Sequence, residues 1–320
     1  MGASVCAIIV NWNGGGQLAR CLASFSAVAG DDVALESVVV VDNGSEDDSI
    51  DRAAAFSDRL PLRILRNSDN LGFAAACNQG ARESAAEFLL FLNPDTELRP
   101  GCLERPAQFL AEAANRHIGT VGIKLLDGHG QKTRTCSRHP SLASLIGNSV
   151  GFDRVFPWLF PPHFLPEHAH EGIRQVDQVM GAFFFVRRAL FERLGGFDER
   201  FFMYFEDADF AMRAKKEGSA AAFLPTAYAI HSGHGSSDRV RAGRLFYFSR
   251  SRILFSVKHF GLAGGLAVSA ATLLLEPLAR AGKALLTGRI ADLRDVALGS
   301  AMLWGNFPTL LSRHRECHNA

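Results

Sequence analysis

The chain has 320 residues, 48% of them hydrophobic and 21% charged, with a formal net charge of +1. That balance excludes a disordered chain, and the length allows one large domain or two modest ones. The charge is uneven: residues 1–240 hold 23 Lys/Arg against 29 Asp/Glu, and residues 241–320 hold 11 against 4. An acidic body with a basic, apolar tail points to a tail that meets an anionic surface, set against the simpler reading of solvated helix faces. The six cysteines are scattered with no CxxC pair, so core thiols in a reducing cytoplasm are expected. Strand-like sequence starts within four residues of the N-terminus, which leaves no space for a signal peptide.

Taken in order, Val5–Val10 reads as a buried strand entering the turn Asn11–Gly16. Residues 17–28 place Leu18, Cys21, Leu22 and Phe25 at helical spacing. Ser37–Val41 is a second strand, ending in Asp42-Asn43-Gly44-Ser45, and Glu46–Phe56 reads as a helix. Leu62–Leu65 is a third strand, residues 73–85 an Ala-rich helix, and Glu87–Leu92 a fourth strand stopped by Asn93-Pro94-Asp95. Alternating strands and helices predict a right-handed, mostly parallel α/β unit over residues 1–100. Further strands are expected at 119–126, 179–186 and 221–230, and helices at 188–194 and from Phe205 to Gly218. Residues 139–172 show no clear period. From Arg244 the chain reads as helical, with an apolar run at 262–279 that fits an interfacial helix or hairpin better than a clean membrane span, because Glu276 and Pro277 interrupt it.

Acidic residues recur where open α/β sheets place ligands, just past strand ends or at a helix start. Asp42 can accept hydrogen bonds from a base or ribose. Asp95, a hard oxygen donor beside Asn93, can help hold Mg²⁺ or Mn²⁺ on a diphosphate. Glu206 or Asp207 can take a proton from a hydroxyl. Each has a bland reading as a turn or cap carboxylate; for Asp209 a helix-first-turn carboxylate is the expectation, and Arg213 should pair with an acid of its own helix. His163, His168 and His170 read as exposed loop histidines. No Walker motif or GxGxxG follows any strand, and Gly14-Gly15-Gly16 reads as a turn.

The blocks Val5–Asn13, Val39–Ser45, Asn70–Gly80, Leu92–Thr96 and Gly195–Glu199 through Phe205–Asp209 resemble family 2 glycosyltransferases, in that family's order, and within it the rhamnosyltransferase-like branch that builds cell-surface glycans. The resemblance implies a GT-A fold, with a mostly parallel central sheet flanked by helices and a helical C-terminal extension. It implies inverting transfer from a nucleotide-sugar, with dTDP-rhamnose suggested by the branch. Trp12, Asp42, Asn43, Asn70, Gly72, Asn78 and Asn93 match nucleotide-sugar-binding positions. Asp95 matches the last carboxylate of the metal motif, whose first place here holds Asn93. Asp207 matches the catalytic base, with Glu206 as its partner. His231 matches a histidine that completes the metal site in some relatives, and His234 is an alternative.

The expected division is a catalytic domain over 1–243, with a nucleotide-binding half (1–100) and an acceptor half (101–243), followed by a helical region over 244–320. No Trp lies between Trp158 and Trp304, so the QxxRW motif of processive synthases is absent and single addition is expected. A nucleotidyltransferase and a non-catalytic sugar-nucleotide- or glycan-binding protein are the rival readings. Arg241, Arg244, Arg250, Arg252 and Lys258, with the aromatics of 152–164, suggest peripheral docking of a cytoplasmic enzyme on the inner face of the cell membrane, near a glycan or lipid-linked acceptor and without nucleic acid.

Overall fold

The computed structural model describes residues 3–28, 33–166, 171–233 and 241–316. His168, His170, His234 and Cys317 lie outside the described residues. The chain forms two compact units. One comprises 1–139, 164–202 and 206–236; the other comprises 140–163, 203–205 and 237–320.

The first unit is built on strands β1 (Ala3–Asn11), β2 (Val33–Asp42), β3 (Leu62–Arg66), β4 (Phe88–Leu92), β5 (Thr96–Leu98), β6 (Ile118–Leu126), β8 (Arg174–Val176), β10 (Phe183–Arg187) and β11 (Ala220–His231). They form one sheet in the order β3-β2-β1-β4-β10-β6-β11-β5, with β8 also paired to β11. β1 to β4 run parallel, β10 runs against its neighbours β4 and β6, and β6 and β11 run parallel to each other. A separate short pair joins β7 (Cys136–Ser137) and β9 (Gln178–Val179).

Alternation along each strand produces the two cores. Val5, Ala7 and Ile9 face one side with Val38, Val40, Phe88 and Leu90. Cys6 and Ile8 face the other with Val39, Val41, Leu89 and Phe91. On that second side Phe91, Phe184, Phe191, Phe197 and Phe210 form a continuous ring cluster, with neighbouring centroids 5.0–6.3 Å apart. The cluster fixes helix α6 (Arg188–Arg193), the Gly195–Glu199 segment and helix α7 (Glu206–Lys216) onto the sheet. Cys6, Cys21, Cys77, Cys102 and Cys136 are buried free thiols, as expected of core cysteines.

Helices α1 (Gly16–Ser24), α2 (Ser49–Ala54), α3 (Phe73–Ala81) and α4 (Glu104–Ala111) connect the early strands. The helix expected over 73–85 ends at Ala81; Ser84 instead folds into a turn, accepting from the Ala86 amide. Within the stretch read as aperiodic, helix α5 (Leu142–Val150) starts at a capping box between Ser141 and Ser144.

The second unit contains α5, α8 (Arg241–Ala270), a π-helical turn (Ala271–Leu275), α9 (Glu276–Leu286) and α10 (Ala291–Glu316). α8 breaks at Gly261, where φ is 70°. A Cβ on Gly265 would collide with Val257, so the chain folds back on itself closely there. Phe246, Ile253, Leu273 and Leu303 form the unit's core. Arg252, expected among the surface cations, is 1% exposed and paired with buried Glu276, which also holds Arg280. Burial removes Arg252 from any surface role, because its charge is spent on Glu276.

Candidate active site

β1 to β4 run the same way, so their carboxyl ends share one edge. The order 3-2-1-4 puts a topological switch between β1 and β4, and the crevice at such a switch is where open α/β sheets bind ligands. Asn11 and Trp12 leave β1 there, and Asn93 and Asp95 leave β4.

On the β1–β2 side, Asn11 pairs with Asp42 in the strand register. The Asn11 amide donates to Asp42 Oδ1 at 2.9 Å and to the Ser45 and Ser49 hydroxyls at 3.0 and 2.9 Å. Ser45 adds its own hydroxyl to Asp42 at 2.5 Å. Asn11 Oδ1 is buried and has no partner among the described residues, and a Cβ at Gly14 would run into it. The glycine turn is therefore a space requirement around Asn11, and its Gly15 amide is fixed by Asp47 at 2.8 Å. Trp12 is half-buried.

Next to it, Asn43 donates to Asn70 Oδ1 and to the Gly72 carbonyl, both at 3.2 Å, and accepts from Asn67 at 3.0 Å. These amides fold the loop that precedes α3. Gly72 has φ 88°, and a Cβ there would lie 2.6 Å from the Phe202 carbonyl oxygen, so only glycine allows that approach. Asn78 stands apart. Its amide donates to the Phe197 carbonyl and to Glu199, and its oxygen accepts from the Phe197 amide at 2.9 Å. These bonds go to the Gly195–Glu199 segment, which Asn78 clamps to α3. It also lines an open cavity of about 320 Å³ with Leu89 and Arg188, at the amino end of β4 and away from the strand-end loops.

Asp95 is 7% exposed. β5, directly after it, pairs antiparallel with the end of β11, opposing Thr96 to His231. That pairing brings His231 Nε2 to 3.3 Å from Asp95 Oδ1, and the Ser232 amide donates to the Asp95 carbonyl at 3.1 Å.

Glu206 and Asp207 open α7, and the two residues before them, Tyr204 and Phe205, both have positive φ (68° and 67°). Consecutive non-glycine residues in that region cost energy and concentrate at functional sites. Asp207 accepts from the Gly181 amide at 3.1 Å, from the Ala208 amide at 2.8 Å, and from the Gln178 side chain. Burial raises its pKa, against the pull of those donors. Glu206 is pushed well above the ordinary glutamate value, first by burial and then by the Asp207 charge, and one of its oxygens has no partner among the described residues. The other side of residues 181–182 closes the site: the Ala182 carbonyl accepts from the Asn93 amide at 3.1 Å. Two consecutive residues thus hold the Asp95 loop and the Asp207 carboxylate.

Asp209 lies in the first turn of α7, as expected. It is 0% exposed and bonded at 2.7 Å to Arg213, whose other donors reach the Leu194 and Gly196 carbonyls. It is a buried anchor as well as a first-turn acid, because it neutralises Arg213 where that side chain ties α7 to the Gly195-Gly196 turn. The Arg213 pairing itself is as expected.

The model of the glycosyl transferase family 2 matches residues 6–195. An N-acetylglucosaminyl-diphospho-decaprenol L-rhamnosyltransferase of Mycobacterium tuberculosis is 30% identical over 264 residues, covering 78% of this chain and 82% of that protein. The chain belongs to glycosyl transferase family 2. Rhamnosyltransferase WbbL of Escherichia coli is 25% identical over 48% of this chain and 55% of its own length. Among solved structures, a mannosyltransferase of Pyrobaculum calidifontis, in complex with GDP-Man and Mn²⁺, superposes with a TM-score of 0.55 at 16% identity, over 99% of this chain and 83% of that one. At that identity the likeness shows the fold, which is GT-A.

For a family 2 glycosyltransferase the donor set at Asp95 and His231 suits a divalent ion, one hard oxygen and one imidazole nitrogen within 3.3 Å of each other. Among the described residues no third His, Cys, Asp or Glu completes a cluster with them. Sequence reasoning missed Gln178, Gly181, Asn11 and Asn67. None lies in a charged motif, and each matters through a contact across more than ten residues of chain. Gln178 supplies a test: Gln178→Leu removes a donor that favours charged Asp207, so the acidic limb of the kcat/KM profile moves to higher pH. An unmoved limb would show that Gln178 does not act on Asp207.

Proposed function

We propose that this family 2 glycosyltransferase moves one sugar, with inversion, from a nucleotide-sugar to a hydroxyl of a glycan or lipid-linked acceptor in cell-surface polysaccharide synthesis. The observation that carries the reading is the Gly181–Ala182 link, which ties the diphosphate-side loop of Asp95 to the carboxylate of Asp207. The relatives named as rhamnosyltransferases support rhamnose as the sugar moved, with dTDP-rhamnose as the donor to test.

In the reaction, Asp42, Asn43 and Trp12 hold the nucleoside, with Asp42 pre-oriented by Asn11 and Ser45. The acceptor hydroxyl approaches the anomeric carbon opposite the diphosphate. Asp207 takes its proton as the new C–O bond forms and the bond to the diphosphate breaks. Its raised pKa makes it a better base than a solvated aspartate, while the Gly181 and Ala208 amides keep it aimed. Asp95 and His231 would hold Mg²⁺ or Mn²⁺, which when bound neutralises charge on the departing diphosphate. The enzyme works at the inner face of the cell membrane, which its helical unit contacts.

Incubation with dTDP-rhamnose and a polyprenyl-diphospho-N-acetylglucosamine acceptor should release dTDP only when both are present. Pyrophosphate release instead would identify a nucleotidyltransferase, and donor binding without release a non-catalytic protein.

A further inference from the structure

In water a helix turns its apolar side inward and its polar side out. The stretch 262–278 departs from that: it is apolar on its outward side as well. Leu262, Leu266, Leu274 and Leu278 are 48–71% exposed, at intervals of four or eight residues, with exposed Ala270 in the gap. The opposite, buried side mixes Val268, Ala271 and Leu273 with the polar Ser269, Thr272 and Glu276, the last neutralised by buried Arg252. Every four-residue step over-rotates an α-helix by about 40°. The wider turn at Ala271–Leu275 takes up part of that drift and keeps the leucines on one side.

We infer that this face of the helical unit enters the hydrocarbon layer of a bilayer, with the Arg252–Glu276 pair as its internal polar lock. Three observations favour lipid over a second protein chain. The only charged side chain between Phe260 and Ala279 is Glu276, and it points inward. Charged residues facing the interior of a bundle while apolar ones face out is the arrangement of chains in lipid. Exposed Arg280, Lys283 and Arg289 follow at once, where they meet anionic headgroups. The stripe spans about 24 Å, comparable to the hydrocarbon thickness of about 30 Å. The stretch lies after the Gly261 break, so it enters as one arm of a hairpin.

The inference rests on the proposed membrane contact and goes further, from surface docking to insertion. The test uses the full chain with phosphatidylcholine–phosphatidylglycerol vesicles. Flotation should persist at 1 M salt, roughly where the Debye length falls to 3 Å and surface attraction is lost. A Leu266→Trp variant, in a Trp158→Phe/Trp304→Phe background, should be quenched by lipids brominated deep in the acyl chain. Leu266→Glu/Leu274→Glu should lose salt-resistant flotation and keep wild-type donor affinity. Flotation that salt abolishes, without deep quenching, overturns insertion and leaves peripheral docking standing. No flotation at all overturns both. If the double variant instead turns a dimer into a monomer, the stripe is an interface between copies and insertion fails.

Discussion

Asp207→Asn should lower turnover by about 10²–10⁴-fold while leaving nucleotide-sugar affinity close to wild type. The substitution keeps the shape of the side chain and removes its ability to accept a proton. Asp207 sits between two backbone donors, Gly181 and Ala208, so the amide of Asn must turn one NH₂ towards an N–H. That mismatch costs about 1–3 kcal/mol of stability, which thermal denaturation measures separately from the chemistry. Single-turnover kinetics with saturating donor then isolate the loss. Transfer near the wild-type rate would remove Asp207 as the base.

Glu206 gives a control with the opposite signature. Its folded-state pKa is raised well above the ordinary glutamate value by burial. The native state therefore holds a proton that the unfolded state releases, so this group's contribution to stability falls as pH rises from the ordinary glutamate range towards the raised value. Glu206→Gln abolishes that slope, and the variant gains stability relative to wild type as pH rises. Its turnover should fall far less than that of Asp207→Asn, since Glu206 is buried while Asp207 retains exposed surface.

The parts of the fold legible in the sequence were those written as short-range pattern. β1, β2 and β4 are runs of Val, Ile, Leu and Phe cut off by Asn or Pro, and α7 begins at a cluster of acids. β5 and β9 are three and two residues long, too short to carry an alternation, and they exist because a neighbouring strand pairs with them. Their consequences are large: β5 carries His231 to Asp95, and β9 carries Gln178 to Asp207. The same distinction separates the site residues. Asp42, Asp95 and Asp207 stand at strand or helix ends and can be read locally. Asn78 carries the same kind of motif signal, yet its amide is consumed 119 residues away at Phe197. The Arg252–Glu276 pair was invisible for a related reason, because both residues read as ordinary charges until the fold places them inside the helical unit.

Asp95→Asn should remove the Mn²⁺-dependent part of donor affinity, a loss of at least about 10-fold by analogy with the cost of disturbing a metal's support, and more if Asp95 is a direct ligand. Asn93 provides no charge at the position where the family motif carries its first carboxylate, so Asp95 is the one anionic ligand that Asn93-Pro94-Asp95 can offer. His231 is the natural second donor, since the β5–β11 pairing holds it 3.3 Å from Asp95. His231→Ala should then weaken Mn²⁺-dependent binding as well, and the double variant should lose little beyond either single one, because both act on the same ion. Titration calorimetry of dTDP-rhamnose with Mn²⁺ and with a chelator reads all of these directly. Equal affinity of Asp95→Asn and wild type in both conditions would show that Asp95 binds no ion. In that case the adjacent strand-end amides, Asn93 above all, would have to carry the diphosphate. Asn93→Asp makes the converse check. A second carboxylate beside Asp95 should tighten Mn²⁺ binding, whereas at a site that binds the diphosphate through neutral donors alone the added charge should repel the donor.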